Sequence, residues 1–223
     1  CKVAIDPIEE SGNKPVFFFF YIGDLNINTK DIENRITKFT IAIQAIHLGG
    51  VSCDMGEINT IAKKHNLWVI EDCAQSMGTR HEGKYSGSFG DISCFTLTKN
   101  AYGIGGGILA TSSIDIYRKA LELNREFEIV PSKMIIFKFV RNIAETYRKT
   151  NLGIYMIKLL MRIKGDHSSY ESVQAQLYKI SPLQIKVSAV QIERLGILHQ
   201  KRKYVGSGYY KILKENGFLF NSD

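Results

Sequence analysis

The sequence predicts an α/β fold built around a largely parallel sheet. Short apolar segments at IAIQAIHL (41–48), LWVIED (67–72) and DISCFTL (91–97) have the length and composition of buried strands. The segment 55–65, whose apolar residues have helical spacing, separates the first two. Strands that alternate with helices at this interval are typical of a parallel sheet with helices on its faces.

The individual elements follow from the periodicity of the apolar residues. In chain order they are a strand at 15–22, a helix at 30–37, a strand at 41–48, a helix at 55–65, strands at 67–72, 91–97 and 107–112, and a helix at about 113–127. Asp54, with Glu57 three residues later, has the pattern of a capping box and predicts the start of the helix at 55–65. Ser112 with Asp115 predicts a cap for the helix that follows the last strand.

The character of the sequence changes over residues 129–165, where basic and apolar residues are mixed. Here we expect a pair of amphipathic helices that packs on the body of the protein, in preference to helices that bind a membrane surface. Helical spacing continues over 178–213, which predicts one long helix with a kink near Gly206 and Gly208. The expected domains are part of a large domain at 1–128, a basic helical insertion at 129–177 and a helix leading into a small C-terminal domain at 178–223.

Composition limits the classes of protein to which the chain can belong. Of its 223 residues 44% are hydrophobic, enough for a sizeable core, and 29 basic against 22 acidic side chains give a net charge of +7. This charge can attract phosphates, nucleic acid or an anionic membrane surface, or it can reflect a fragment separated from acidic neighbours. Since the basic segment has no nucleic-acid-binding motif, we expect no nucleic-acid partner. No apolar run has the length of a membrane span, because basic residues interrupt the most apolar part at Lys138, Arg141, Lys158 and Arg162.

Cysteine and histidine usage points to a reducing compartment and to no metal site. The four cysteines form no CxxC pair and no secretory leader is visible, so we expect free thiols and a cytoplasmic protein. They are Cys1, Cys53, Cys73 and Cys94. The histidines at 65, 81, 167 and 199 have no metal-ligand spacing to a cysteine or carboxylate, and we expect no metal site. His47 ends a strand before a Gly-Gly turn, and we expect a half-buried, hydrogen-bonded histidine there and not a catalytic one.

Two residues lie where parallel sheets usually bind ligands, at the carboxyl ends of strands. Asp72 ends the strand at 67–72, and its carboxylate could hold a proton on a heterocyclic nitrogen, although an Asp in this position is more often a cap or turn former. Lys99 follows the strand at 91–97 and precedes a cluster of glycines. It could be a Schiff-base amine or one of many solvated charges, and neither residue alone decides between these alternatives.

The order of the motifs is more specific than any one of them. The succession AIHLGG, IAKKHNLWVIEDCAQSMGT, HEGKYSGSFGDISCF, a lysine and GGG resembles the DegT/DnrJ/EryC1/StrS family of pyridoxal-phosphate-dependent sugar aminotransferases. The resemblance covers residues 14–125 and resumes over 178–213. It implies the three-layer large domain of fold type I, a mostly parallel sheet flanked by helices. We expect that domain to be incomplete, as in an N-terminally truncated member, and to be followed by the start of the small C-terminal domain.

The resemblance also implies a role for four residues. Lys99 matches the catalytic lysine that forms a Schiff base with pyridoxal 5'-phosphate and then moves protons on the substrate. Asp72 matches the carboxylate that pairs with the pyridinium nitrogen. Gln75 matches the position beside the cofactor ring, and Thr96 matches the hydroxyl that contacts the cofactor phosphate. Between Phe95 and Lys99 the chain is two residues shorter than the family pattern.

By the same resemblance, the reaction transfers an amino group, commonly from glutamate, to a nucleotide-linked keto sugar for polysaccharide or other surface-glycan biosynthesis. The expected partners are this sugar nucleotide, an amino-acid donor and a second copy of the chain in a homodimer. Two alternatives remain at this point. One is a degenerate, non-catalytic member that binds a sugar nucleotide or a partner. The other is a peripheral membrane or interaction protein that acts through the helices at 129–165.

Overall fold

The computed structural model of the protein describes residues 2–18, 20, 26–164 and 178–217. Its helices are α1 (Lys2–Glu10), α2 (Met55–His65), α3 (Ile114–Glu126), α4 (Ser132–Thr146), α5 (Asn151–Lys164), α6 (Pro182–Glu193) and α7 (Leu195–Glu215). Its strands are β1 (Ala42–Ile46), β2 (Trp68–Asp72), β3 (Arg80–His81), β4 (Lys84–Tyr85), β5 (Ile92–Thr96) and β6 (Gly107–Ala110). Short 3₁₀ turns lie at Thr29–Asp31, Glu33–Arg35 and Leu48–Gly50.

A four-stranded sheet in the order β1-β2-β5-β6 confirms the predicted α/β class. The pairs β1·β2 and β2·β5 are parallel, and their register aligns Ile46, Asp72 and Cys94 near the carboxyl ends of the three strands. A parallel pair needs a crossover connection, which α2 supplies between β1 and β2. The carboxyl ends of β1, β2 and β5 therefore lie at one edge of the sheet.

Helix α2 begins and ends as its sequence predicts, over Met55–His65. The side chain of Asp54 accepts a hydrogen bond from the backbone N–H of Glu57 at 3.0 Å, which satisfies one of the unpaired donors of the first turn. The capping box is incomplete, because the carboxylate of Glu57 accepts instead from the hydroxyl of Thr29. The helix ends at Asn66, whose left-handed conformation is common at helix C-termini.

The core of the first half of the chain lies between α2 and strands β1 and β2. Alternate residues of the strands point toward the helix, as Ile43, Ala45 and Val69 do. The helix contributes Ile58, which is fully buried, together with Met55, Ile61 and Ala62. This packing joins two strands and their crossover into one layered unit.

Two predictions near the N-terminus were wrong. Residues 15–18 form no strand, and Phe20 makes only an isolated antiparallel bridge to Ile27. The rest of the predicted strand, at 19 and 21–22, lies outside the described residues. An apolar run becomes a strand only where a neighbouring strand supplies hydrogen bonds, and no described strand pairs with 15–18. The helix predicted at 30–37 is two 3₁₀ turns, because so short a segment does not offset the cost of helix nucleation.

Strands β3 and β4 form a hairpin that was not predicted. These strands pair antiparallel across the two residues Glu82 and Gly83, both of which have positive φ. Positive φ at both central residues is the geometry of a two-residue hairpin turn. The E-G dipeptide was therefore the missed signal.

The second half of the chain is helical. Helices α4 and α5 form the pair expected within 129–165. The single long helix predicted after 178 was wrong, because α6 and α7 are separated at Arg194. Gly196 follows this break, and its low helix propensity makes the position a weak point. Gly206 and Gly208 lie within α7 instead, where an exposed glycine costs about 1 kcal/mol without ending a helix.

The chain divides into two compact units, each of which is described by itself. The first comprises Cys1–Phe95 and Leu109–Ser113, and the second comprises Thr96–Ile108 and Ile114–Asp223. The domain boundaries predicted at 128 and 177 stay predictions. Across the described ranges of both units, no helix combines the length and the apolar character that crossing a bilayer requires.

The packing of α2 predicts the effect of truncating Ile58. The replacement Ile58→Ala should lower the free energy of unfolding by about 2–5 kcal/mol, because a buried side chain is lost and a cavity remains. Urea unfolding followed by circular dichroism measures this change. The exposed Lys63→Ala on the same helix is the control, and equal losses in the two variants would contradict the assignment of Ile58 to the core.

Candidate functional site

A buried carboxylate, that of Glu71, connects β1, β2 and the loop before β5. Its side chain is 0% exposed. Oε1 accepts hydrogen bonds from the backbone N–H groups of Phe89 at 2.8 Å and Gly90 at 2.6 Å. Oε2 accepts from the N–H of Gly87 at 2.7 Å and from Nε2 of His47 at 3.1 Å. One side chain of β2 therefore satisfies donors from two other segments of the first unit.

Two glycines in SGSFGD allow the loop to approach Glu71 closely. Gly87 has φ +92°, and a Cβ there would overlap the ring of Phe95. A Cβ at Gly90 would come within 2.8 Å of the carbonyl oxygen of Val69. Any other residue at either position would move the backbone, and with it the N–H groups that bind the carboxylate.

His47 is also fully buried, and its hydrogen bonds determine its tautomer. Nδ1 accepts from the backbone N–H of Cys53 at 3.1 Å, and a backbone N–H can only donate. The proton of the neutral ring must then be on Nε2, which donates it to Glu71. The prediction of a hydrogen-bonded histidine is confirmed, although the ring is fully buried and not half-buried.

Opposing effects act on the pKa of Glu71. Burial raises the pKa, because an ionised carboxylate loses its hydration. Hydrogen bonds from His47 and from the backbone of Gly90, Gly87 and Phe89 favour the ionised form and lower the pKa. The donors prevail, so the pKa of Glu71 lies below the usual range and the buried side chain is a carboxylate at neutral pH.

The same network includes a cluster that resembles a metal-ligand set. Ligand-capable atoms of His47, Glu71 and Cys73 lie within 4.8 Å of one another. Both ring nitrogens of His47 are already hydrogen-bonded. Burial raises the pKa of the Cys73 thiol to about 12, and the charges of Glu71 and Asp72 act in the same direction, so the metal-binding thiolate is disfavoured. Hydrogen bonding accounts for this cluster, and the absence of a metal site stays a prediction.

Asp72 lies at the carboxyl end of β2, next to Glu71 in the chain, and is half-buried. Its register neighbours are Ile46 on β1 and Cys94 on β5. Its Oδ1 accepts from the backbone N–H of Ala74 at 3.0 Å, and no residue of the described ranges donates to Oδ2. Asp72 thus presents a carboxylate oxygen at the edge of the sheet where parallel folds bind ligands.

Gln75 connects the segment after β2 with the turn after β1. Its Oε1 accepts from the backbone N–H of Gly49 at 2.9 Å. Gly49 and Gly50 have φ of +62° and +85°, so the turn needs glycine at both positions. The predicted place of Gln75 beside a cofactor ring stays a prediction.

Thr96 and Lys99 belong to the second unit. Thr96 ends β5, and its hydroxyl lies 2.7 Å from the hydroxyl of Thr98. Lys99 follows in an exposed turn. The turn therefore places two hydroxyls and a primary amine within four residues, on a surface that a ligand can reach.

The glycine-rich segment after Lys99 is held in a strained conformation. Ile104 has φ +63°, which is rare for a β-branched residue and costs about 1–3 kcal/mol, yet it is almost fully buried. Its side chain packs with Val130 and with Ile135 of α4. Gln184 of α6 donates from Nε2 to the carbonyl oxygens of Ile104 at 3.2 Å and Gly105 at 3.3 Å. These contacts hold the backbone in place against the strain.

Two further contacts fix the segment that contains Lys99. Gly103 approaches α6 so closely that a Cβ would overlap Oγ of Ser188. Arg202 of α7 donates to the side-chain oxygen of Asn100 at 3.3 Å and to its carbonyl oxygen at 3.4 Å. Helices from three later parts of the chain, α4, α6 and α7, thus position the lysine turn.

Glu71 and Gln184 were not predicted as functional residues, although the sequence carried a signal for both. Glu71 alternates along β2 with Val69 and Cys73, which are buried, so the period of two placed the acid on the inward face. The sequence SPLQ matches the capping box that Ser181 and Gln184 form at the start of α6. Arg202 carried no comparable signal, because it lies among other basic residues of a helix.

The chain is similar to proteins of one known family. Residues 4–221 match the DegT/DnrJ/EryC1/StrS aminotransferase family. The chain is 38% identical over 178 residues to GDP-perosamine synthase of Escherichia coli O157:H7, covering 79% of this chain and 48% of that protein. It is 31% identical over 220 residues to dTDP-3-amino-3,6-dideoxy-alpha-D-galactopyranose transaminase of Aneurinibacillus thermoaerophilus, covering 97% and 50%. The chain therefore spans about half the length of the curated relatives it matches.

A solved structure extends the comparison to the fold. The chain resembles GDP-4-keto-6-deoxy-D-mannose-3-dehydratase of E. coli with bound hydrated PLP, with a TM-score of 0.66 at 21% identity. The likeness covers 93% of this chain and 49% of the other. Identity at this level shows the fold alone, and the predicted fold type I is confirmed.

The Glu71 network makes stability depend on pH. The folded-state pKa of Glu71 lies below the unfolded value of about 4.3, so its stabilising contribution is complete above that pH and is lost as pH falls through the folded pKa. At pH 7, Glu71→Gln should lower the free energy of unfolding by about 1–3 kcal/mol, because an amide NH2 cannot accept from the buried N–H donors. Acidification should reduce the difference in free energy of unfolding between wild type and Glu71→Gln.

Urea unfolding of wild type and Glu71→Gln over a pH series measures this effect. Glu126→Gln, at an exposed position, is the control and should match wild type throughout. A difference between wild type and Glu71→Gln that stays constant on acidification would show that the carboxylate is not the stabilising group.

The support of the lysine segment by α6 predicts a local effect. Gln184→Ala removes both hydrogen bonds to the carbonyls of Ile104 and Gly105, each of which contributes about 1 kcal/mol. The amide of Gly103, which is bonded to the carbonyl of Leu97, should then exchange its hydrogen roughly thirtyfold faster, the factor that corresponds to about 2 kcal/mol. Hydrogen–deuterium exchange checks this, with the exposed Lys186→Ala as control. Unchanged protection at Gly103 would show that the segment holds its conformation without Gln184.

Proposed function

The chain belongs to the DegT/DnrJ/EryC1/StrS aminotransferase family, and we propose that it is a pyridoxal-phosphate-dependent aminotransferase. It moves an amino group from an amino-acid donor, glutamate in the first instance, to a keto sugar attached to a nucleotide. The proposal rests on the position of Asp72 at the carboxyl end of a parallel strand. One of its carboxylate oxygens binds the N–H of Ala74, and the other can bind a ligand.

The residues of the first unit fit one part of this cofactor. The pyridine ring needs a carboxylate that keeps its nitrogen protonated, and Asp72 supplies one. Asp72 is held in position from both sides, because its neighbour Glu71 is fixed by buried hydrogen bonds and its own Oδ1 is bound to the N–H of Ala74. Gln75 lies three residues further on and supports the turn at Gly49.

The residues of the second unit, considered by themselves, suit an aldehyde and a phosphate. The exposed amine of Lys99 can be reached by an aldehyde, and the hydroxyls of Thr96 and Thr98 can donate to phosphate oxygens. When bound, pyridoxal phosphate supplies an aldehyde that combines with amines and a ring that accepts electrons from carbon. With the cofactor bound, the amine of Lys99 would serve as the general base and acid that moves a proton during the transfer.

The substrate class rests on the relatives. GDP-perosamine synthase and the dTDP-amino-sugar transaminase are named for sugars attached to nucleotides, and both align with most of this chain. We extend the proposal to surface-glycan biosynthesis, to action as a homodimer and to a cytoplasmic location.

A second function shares the fold. A relative in fold is named a dehydratase, so the architecture alone does not select transamination. A non-catalytic member is the further alternative, and the short spacing from Phe95 to Lys99 favours it. The presence of Lys99 favours chemistry on an amine.

Cofactor binding tests the proposal. Addition of pyridoxal phosphate to the chain should produce the visible absorbance band of a lysine-bound cofactor, and Lys99→Ala should abolish it. Asp72→Asn should keep the band but weaken the affinity for pyridoxal phosphate, since it removes the negative charge that would keep the ring nitrogen protonated. Where the band forms, addition of glutamate should convert it.

The exposed Lys84→Ala is the matched control and should leave the band unchanged. An equal band in wild type and Lys99→Ala would assign the reactive amine elsewhere. No band in wild type, combined with binding of a sugar nucleotide in calorimetry, would favour the non-catalytic member.

A further inference from the structure

The positive charge of the protein is concentrated in one helical hairpin. Residues 131–164, which contain α4 and α5, include eight lysines and arginines and one acidic residue, Glu145, a net charge of +7. This equals the net charge of the whole chain. The other 189 residues contain 21 basic and 21 acidic side chains and are neutral. The excess charge is therefore a property of this hairpin and not of the protein in general.

The outward side of α4 is apolar. Ile136, Phe139, Ile143 and Tyr147 recur at intervals of three and four residues, so they form one stripe along the helix. All four are exposed, Ile136 to 61%. Lys133 flanks the stripe at its start and is exposed as well.

Helix α5 repeats this arrangement. Leu152, Tyr155 and Leu159 form an apolar stripe at the same spacing, and Tyr155 is 66% exposed. Lys158 lies beside the stripe and is exposed. Each helix thus presents apolar side chains with a lysine at the edge, the pattern of helices that lie in a membrane interface.

The opposite side of α4 anchors the hairpin to its own unit. Ile135 is buried against Ile104 and Val130, and Lys138 lies against Gly105. The apolar stripe of α4 therefore does not pack into this core, because the opposite side of the helix already does. A group that buries the stripe must come from outside this core.

We propose that the α4–α5 hairpin docks the protein on an anionic membrane surface. The apolar stripes enter the headgroup region, while the flanking lysines extend their amines to lipid phosphates. Charge complementarity selects this occupant, since each basic side chain near an anionic bilayer contributes to binding. A second copy of the hairpin would bring another +7 charge to the same face, and nucleic acid would leave the apolar stripes uncovered.

Vesicle co-sedimentation of the full chain tests the proposal. The chain should bind vesicles of equal parts phosphatidylcholine and phosphatidylglycerol, and should not bind phosphatidylcholine alone. Binding should weaken between about 0.02 M and about 0.5 M salt, because salt shortens the range of the charges. Lys133→Gln with Lys158→Gln should weaken partitioning roughly 25-fold, since two charges are removed. Phe139→Ser with Tyr155→Ser should abolish it.

Matched variants distinguish this surface from others. Lys63→Gln with Lys186→Gln removes two exposed charges elsewhere, and Tyr204→Ser with Tyr209→Ser removes two exposed tyrosines of α7. Both should bind as wild type does. The proposal is overturned if wild type fails to bind at low salt or if these controls lose as much binding as the hairpin variants. It is also overturned if light scattering shows that Phe139→Ser with Tyr155→Ser converts a dimer to a monomer.

Discussion

The buried carboxylate of Glu71 is the constraint on which the first unit depends. A buried carboxylate is costly unless donors replace its lost hydration, and here three backbone amides and a histidine do so. The donors come from the end of β1 and from the loop before β5, so satisfying one charge aligns both with β2. Because Asp72 is the next residue on β2, the same hydrogen bonds also fix its position. Glu71, which holds the structure together, and Asp72, which we propose holds the cofactor, are thus adjacent along one strand.

The second unit depends on a different balance. Its lysine turn leads into a backbone that Ile104 would not adopt in isolation, and contacts from α4 and α6 hold it there. The second unit thus holds strain next to Lys99, and strained backbone is common where a protein must present a group in one orientation. It also gives α4 two distinct sides, an inner one that supports the loop and an outer one that carries charge and apolar residues.

Prediction from sequence succeeded where a local pattern decides the structure. Helix α2 lies where the Asp54 cap and its apolar spacing place it, and strands β1, β2 and β5 lie within the predicted segments. The wrong predictions concern segments whose structure depends on contacts with other segments. The run at 15–18 has strand composition, but no strand among the described residues pairs with it. The break at Arg194 interrupts an apolar pattern that continues on both sides.

The sequence alone determined the α/β class, the order of the motifs and therefore the family, because periodicity and residue order are properties of the chain itself. It also identified Asp72 and Lys99 as candidates. Only the tertiary structure decided that Glu71 is the buried partner of His47, that Gln184 supports a backbone eighty residues earlier, and that the stripes of α4 and α5 are exposed. These three features depend on which segments lie next to each other in the folded chain. Hydrogen bonds and burial between segments far apart in sequence produce no local sequence pattern.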